Sequence, residues 1–311
     1  MRVLLTGASG FIGTHLDARL AQSPDVTLRR ASRQPHGPGW VHLDVADPAT
    51  YGEALAGVDV VVWLVHGLAE GKGYDKREVE RARAFGNAAR VAGVQRIVYL
   101  GGIAPADHPS RHFKSRLATG RALRESRLPV TELRASIVLG PGSEGWTIVR
   151  DLAARLPAMI VPRWLENRTC PIDLIDVLEA LAAAVEGRLA PGTWDVPGPE
   201  TLPYRELMTR VAHAMGRAPR MVRVPLLTPT LSALWLGIVT RARLPVAREL
   251  AEGLRSDIVP TEQSVWTALD GPKIPLDDAI ARALASEAPP QRPAARIVEW
   301  IAKRLTPSTS R

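Results

Sequence analysis

Thr6-Gly7-Ala8-Ser9-Gly10-Phe11-Ile12-Gly13 follows the apolar run Val3-Leu4-Leu5 and opens a second run, 11–22. In that second run Ile12, Leu16 and Leu20 recur at helical spacing, so the octet stands between a strand and a helix. Glycines in this place form a phosphate-binding turn. Gly7 permits the tight turn, Gly10 lets the backbone approach a pyrophosphate, and Gly13 lets the helix pack closely on the sheet. The pyrophosphate would then meet the free N–H groups and the positive dipole end of the helix. A purely structural glycine turn is the alternative. The context on both sides favours dinucleotide binding, with Thr6, Gly7, Ser9, Gly10, Phe11, Ile12 and Gly13 as the loop residues.

Outward from the loop, strand-like and helical runs alternate. Strands are expected at 26–30, 40–43, 58–65, 96–100 and 130–139, and helices at 48–56, 75–92 and 109–127. The run 58–65 is continuously apolar, as in a central parallel strand buried on both faces. This β-α-β rhythm implies an α/β fold, a Rossmann-type doubly wound parallel sheet. After Gly140-Pro141-Gly142 the rhythm changes. Helices at 174–186 and 204–215, short strands at 193–196 and 221–224, and an apolar, proline-punctuated remainder imply a small, mostly helical C-terminal substrate lobe. The expected division is 1–160 for the dinucleotide domain, 161–305 for the lobe interleaved with it, and 306–311 for a tail.

The second strand bears on which dinucleotide is bound. An NAD site usually places an acid at its end to grip the ribose 2′-hydroxyl. Here the end reads Leu28-Arg29-Arg30-Ala31-Ser32-Arg33-Gln34, without an acid. An arginine there can pair with a 2′-phosphate, so NADP(H) is preferred and NAD(H) is the alternative. Arg33 is the first choice, with Ser32 beside it and Arg30 as fallback. Asp44 and Val45 would lie near the adenine edge, and Leu64, Val65 and His66 along the adenosine and ribose path.

Composition limits the other classes. The 311 residues are 46% hydrophobic and 23% charged, enough for a full core and ordinary in charge. Lys and Arg exceed Asp and Glu by 8, but the excess is spread along the chain without a block. The helix at 109–127 is basic, yet Phe113 is its single aromatic, so nucleic-acid binding is not expected. One cysteine, Cys170, cannot form an internal disulfide, and no secretory signal leads the chain; a cytoplasmic location fits. His108 and His112 have metal spacing but no third ligand, so no metal is expected. The run 224–240 reads as a core helix or an apolar lid, with a membrane-surface element as the less favoured reading. The oligomeric state is not legible.

The residues 6–13, Asp44-Val45, 59–66, 96–102, 133–141, 172–177 and 196–207 together resemble the extended and atypical short-chain dehydrogenase/reductases, over roughly residues 1–210. Trp63-Leu64-Val65-His66-Gly67, Leu133-Arg134-Ala135-Ser136 and the run 227–240 look most like the YbjT-like, NmrA-related branch. The resemblance implies a Ser, a Tyr and a Lys four residues later as the active site. The chain departs from that set. Gly101-Gly102 stands where the Ser would, His112 where the Tyr would, and Arg116 where the Lys would. His112 and Arg116, spaced i, i+4, share one helical face. His112 is the candidate general acid, since an imidazole titrates near neutrality, and Arg116 the candidate ribose contact; a polar helix face without chemistry is the alternative. His66 is a second candidate, with a ribose contact as its alternative.

The expected activity is hydride transfer to or from a small, largely apolar substrate. A non-catalytic NADP(H) sensor or cofactor-stabilised structural protein is the rival class. A sugar-nucleotide epimerase or dehydratase is a third reading, opposed by the missing Tyr and Lys.

Overall fold

The alternating apolar runs fold into a parallel sheet. Its strands are Arg2–Thr6 (β1), Thr27–Ser32 (β2), Trp40–His42 (β3), Val60–Trp63 (β4), Arg96–Gly102 (β5), Val130–Ala135 (β6) and Gly192–Val196 (β7). The computed structural model describes residues 1–67, 70–105, 107, 109–155, 158–161, 163–218, 220–223, 252–253 and 256–286. Strand order is β3-β2-β1-β4-β5-β6-β7, and every pairing is parallel. The chain runs outward from β1 in one direction, then returns to β4 and runs out in the other. The crevice between β1 and β4 is the switch point at which such sheets bind ligands.

Helices cover both faces of the sheet. Phe11–Leu20 (α1) and Leu174–Val185 (α6) bury Leu16, Leu20, Val177 and Leu181 on one face. Tyr51–Leu55 (α2), Tyr74–Val91 (α3) and Arg111–Glu125 (α4) bury Tyr51, Phe85 and Leu123 on the other. β4 is buried along its whole length, the continuous apolar pattern of a strand covered on both faces. Glu144–Arg155 (α5), Tyr204–Ala214 (α7) and Leu276–Ala285 (α8) form a separate cluster around Trp146, Val149, Leu207, Met208 and Ile280.

Three expectations change. The sixth strand does not run unbroken to residue 139. β6 ends at Ala135, where its neighbour β5 ends at Gly102, and Val138–Leu139 pairs instead with Ile172–Asp173. The short strand expected near 193–196 is the seventh strand of the main sheet, beside β6. α5 was not foreseen, although Trp146, Val149 and Ala153 recur at helical spacing and are buried. The apolar run 224–240, the helix expected at 294–305 and the tail 306–311 lie outside the described residues.

Two buried carboxylates fasten the C-terminal segment to this frame. Asp176 of α6 accepts the backbone N–H groups of Lys273 at 3.0 Å and Ile274 at 3.2 Å. Asp195 of β7 accepts those of Thr261 at 2.6 Å and Glu262 at 2.8 Å. Burial pushes the Asp195 carboxyl up from its ordinary value, and the two N–H groups oppose that shift.

Candidate functional site

At the carboxyl ends of β1, β4, β5 and β6 lies a cavity of about 480 Å³. One end is the glycine loop. Gly7 has φ +67°, the left-handed region glycine adopts without strain. A Cβ on Gly7 would lie 3.3 Å from the Leu64 Cβ, and one on Gly13 would lie 2.1 Å from the Gly7 carbonyl oxygen. Gly13 is therefore where the helix closes on its own loop, as its place in the motif requires. α1 starts from Gly10 with no side-chain cap and no acidic residue in its first turn. An uncapped helix start of this kind suits an anion. The cradle and its donors fit a dinucleotide pyrophosphate.

The opposite wall is apolar: Ile103, Phe113, Ile148, Val149, Met208 and Ile258. His66, after β4, and His112 and Arg116 on α4 also line the cavity. The Arg116 guanidinium is held on three sides. Nη2 donates to the Leu100 carbonyl, Nη1 donates to Glu78 at 3.4 Å, and the group lies 5.1 Å above the Tyr99 ring. The Tyr99 hydroxyl donates back to the Arg116 carbonyl at 3.0 Å, and burial raises its pKa. Arg116 thus faces the cavity in a fixed position.

His112 lines the cavity from α4. Its Nδ1 is buried and has no hydrogen-bond partner among the described residues. Burial, then the charge of Arg116 and the nearby His66, push its pKa down to about 3. Near neutral pH it is a neutral ring. A neutral ring with an unpartnered Nδ1 can take or give a hydrogen bond in the cavity. His66 is also shifted down, by burial and by Arg116, with Glu78 opposing. His66 is exposed and lines the cavity.

Gly7, Gly10, Phe11, Ile12, Gly13, Leu64, His66, His112 and Arg116 meet on this one cavity. Other sequence candidates lie off it. Thr6 is fully buried, and its hydroxyl donates to the Val62 carbonyl and accepts the Leu64 N–H, so it braces β1 against β4. Ser9 is exposed. Arg33 is exposed beyond the end of β2 and forms no ion pair among the described residues. The fallback Arg30 is already paired with Asp17 at 2.8 Å. Asp44 turns its carboxylate onto the Ala46 N–H, and Val45 packs against the α2–α4 layer. Val65 joins that same layer. His108 lies outside the described residues, and no group of three metal-binding side chains occurs among the described ones. Cys170 is buried, which raises its thiol to about 11. No described helix is long and apolar enough to cross a membrane. Sequence reasoning missed Glu78, because its partners come from distant parts of the chain.

A family of NAD(P)H-binding proteins matches residues 7–154. A ceramide reductase of Caulobacter vibrioides is 30% identical over 240 residues, 72% of this chain and 73% of that protein. A (4-alkanoyl-5-oxo-2,5-dihydrofuran-3-yl)methyl phosphate reductase of Streptomyces griseus is 28% identical over 280 residues, 85% of this chain and 92% of that protein. The structure of a Citrobacter sp. triphenylmethane reductase complexed with NADP(H) superposes with a TM-score of 0.70 at 18% identity, covering 91% of this chain and all of that one. With a phosphate loop at the switch point of a parallel sheet and reductases among its relatives, the chain belongs to a reductase-like family of NAD(P)H-binding proteins.

Proposed function

We propose that this chain is an NADP(H)-dependent oxidoreductase that transfers hydride to or from a small, largely apolar carbonyl compound. The observation that carries this reading is continuity. The glycine loop, the His112 and Arg116 pair and an apolar wall share one cavity. The names of the relatives, reductases of alkanoyl and ceramide compounds, agree with it.

When bound, the cofactor supplies the hydride; the chain supplies placement. The loop N–H groups take the pyrophosphate, and Arg33 takes the 2′-phosphate from its exposed position. Arg116 meets the nicotinamide ribose. His112, neutral at physiological pH, offers a ring N–H to the substrate oxygen. Water reaching the cavity past His66 provides the proton of the alcohol. The apolar wall selects the substrate and keeps bulk water from the reacting carbon. A reducing cytoplasm is the compartment we assign, from the single buried cysteine.

The test is loss of NADPH absorbance against a panel of apolar ketones and aldehydes. Turnover on any of them supports the reading. Tight NADPH binding with no turnover on the panel would favour a second one, the cofactor sensor. Replacement of the Ser, Tyr and Lys by Gly101 or Gly102, His112 and Arg116 is the observation on its side. A sensor should then show a cofactor-dependent change in stability or partner binding.

A further inference from the structure

α3 contributes a residue to this site without lining the cavity. Glu78 is 4% exposed, and its carboxylate joins two separate segments. Oε2 accepts the Gly67 N–H at 3.4 Å and the Ser115 hydroxyl at 3.1 Å. Oε1 accepts Arg116 Nη1 at 3.4 Å. Gly67 directly follows His66, and Ser115 and Arg116 belong to α4. One buried carboxylate therefore ties the loop after β4 to the helix that carries the cavity's cation.

Packing alone does not call for a charge here. A whole buried ion pair can be exchanged for well-packed apolar residues at little cost in stability, whereas loss of one partner strands the other. A buried carboxylate persists where its partners satisfy it, and here three donors do. Two of those donors set the site: the N–H beside His66 and the guanidinium of Arg116. We propose that Glu78 is the positioning residue of this site, holding Arg116 and the His66 loop in the register in which they meet the nicotinamide half of the cofactor. The proposal rests on the cofactor reading above.

The geometry explains why position and charge act together. Leu100 and Glu78 hold different nitrogens of one planar guanidinium, which fixes the orientation of its remaining N–H groups toward the cavity. Around His66 the charged and titratable neighbours are Arg116, Glu78 and His112. Without Glu78, a lone cation would face two imidazoles.

The test uses the full chain carrying Glu78→Gln, which keeps the shape and removes the charge. NADPH affinity is measured by calorimetry, the His66 ring titration by NMR without cofactor, and folding by thermal melting. NADPH binding is expected to weaken about tenfold or more. The His66 titration should move to lower pH. Glu80→Gln, on the exposed side of the same helix, should change neither. A Glu78→Gln protein that binds NADPH as the wild type does, or whose His66 titration stays in place, overturns the proposal. If Glu78→Gln does not fold, Glu78→Asp keeps the charge and withdraws the carboxylate by one methylene. It should bind NADPH more weakly, and wild-type affinity in that variant equally overturns the proposal. A wild type that binds no NADPH removes the cofactor reading and this proposal together, whereas loss confined to the variants leaves the cofactor reading standing.

Discussion

The phosphate-loop end of the cavity presents backbone: Gly7 in the left-handed region, Gly13 against a carbonyl oxygen, and an uncapped helix start. The α4 end presents side chains: a neutral imidazole, a guanidinium fixed on three sides, and a carboxylate behind it. Backbone donors need no particular side chain, only the room that glycine leaves. Side-chain donors can be exchanged for others that reach the same point. This difference explains why the first end keeps the family pattern and the second departs from it.

Substitution at the loop should have the largest effect. Gly10→Val should abolish NADPH binding in calorimetry while circular dichroism shows a folded protein, because its branches occupy the pyrophosphate's place. Normal binding by that variant would mean the backbone end has been misread. Gly13→Ala should act on folding instead, at a cost of roughly 1–3 kcal/mol or more in urea unfolding, because its Cβ would lie 2.1 Å from the Gly7 oxygen.

At the side-chain end, His112→Phe removes the hydrogen bond to the substrate oxygen and should lower turnover by about 10²–10³-fold with NADPH affinity nearly unchanged. An equally fast variant would remove His112 from the chemistry and make His66 the next residue to replace. A further check separates the neutral ring from an imidazolium. Wild-type turnover should not decline between about pH 5 and 8 through loss of a proton from His112, since the ring has already lost it.

The cofactor preference is a smaller effect. NADPH should bind at least about tenfold more tightly than NADH, roughly 1.4 kcal/mol, and Arg33→Ala should remove the gap. Equal affinities in the wild type would refute Arg33 as the phosphate contact.

The last comparison reads only a slope. His112 titrates near 3 in the folded chain, against an ordinary value of about 6.5. Between those values the unfolded chain binds a proton that the folded chain refuses. Its contribution to stability is complete above the upper value and is lost as pH falls toward the lower one. His112→Phe should therefore melt with a shallower acid dependence than the wild type. Coincident slopes would show that burial does not hold this ring neutral.

Much of this frame was legible because local rules and global packing agree. The octet 6–13 lies between β1 and α1, and the apolar run around β4 lies at the sheet centre. The α4 register was readable too, since His112 and Arg116 are one helical turn apart. The charge state of His112 was not readable, because burial and the proximity of His66 arise only on folding. Glu78 was hidden for a related reason: its partners Gly67 and Arg116 are 11 and 38 residues away. The end of β6 depended on where β5 stops, which no pattern within β6 records.

Asp176 and Asp195 hold the segment bearing Lys273, Ile274, Thr261 and Glu262 by its amides. That attachment is indifferent to which side chains the segment carries there. Ile258, just ahead of the Asp195 clasp, lies on the apolar wall of the cavity. A lineage could therefore rewrite this stretch, and with it the fit for a new substrate, without loosening its anchorage. The clasps make Ile258's share of the pocket wall an interchangeable part, in the way a fixed socket accepts different fittings.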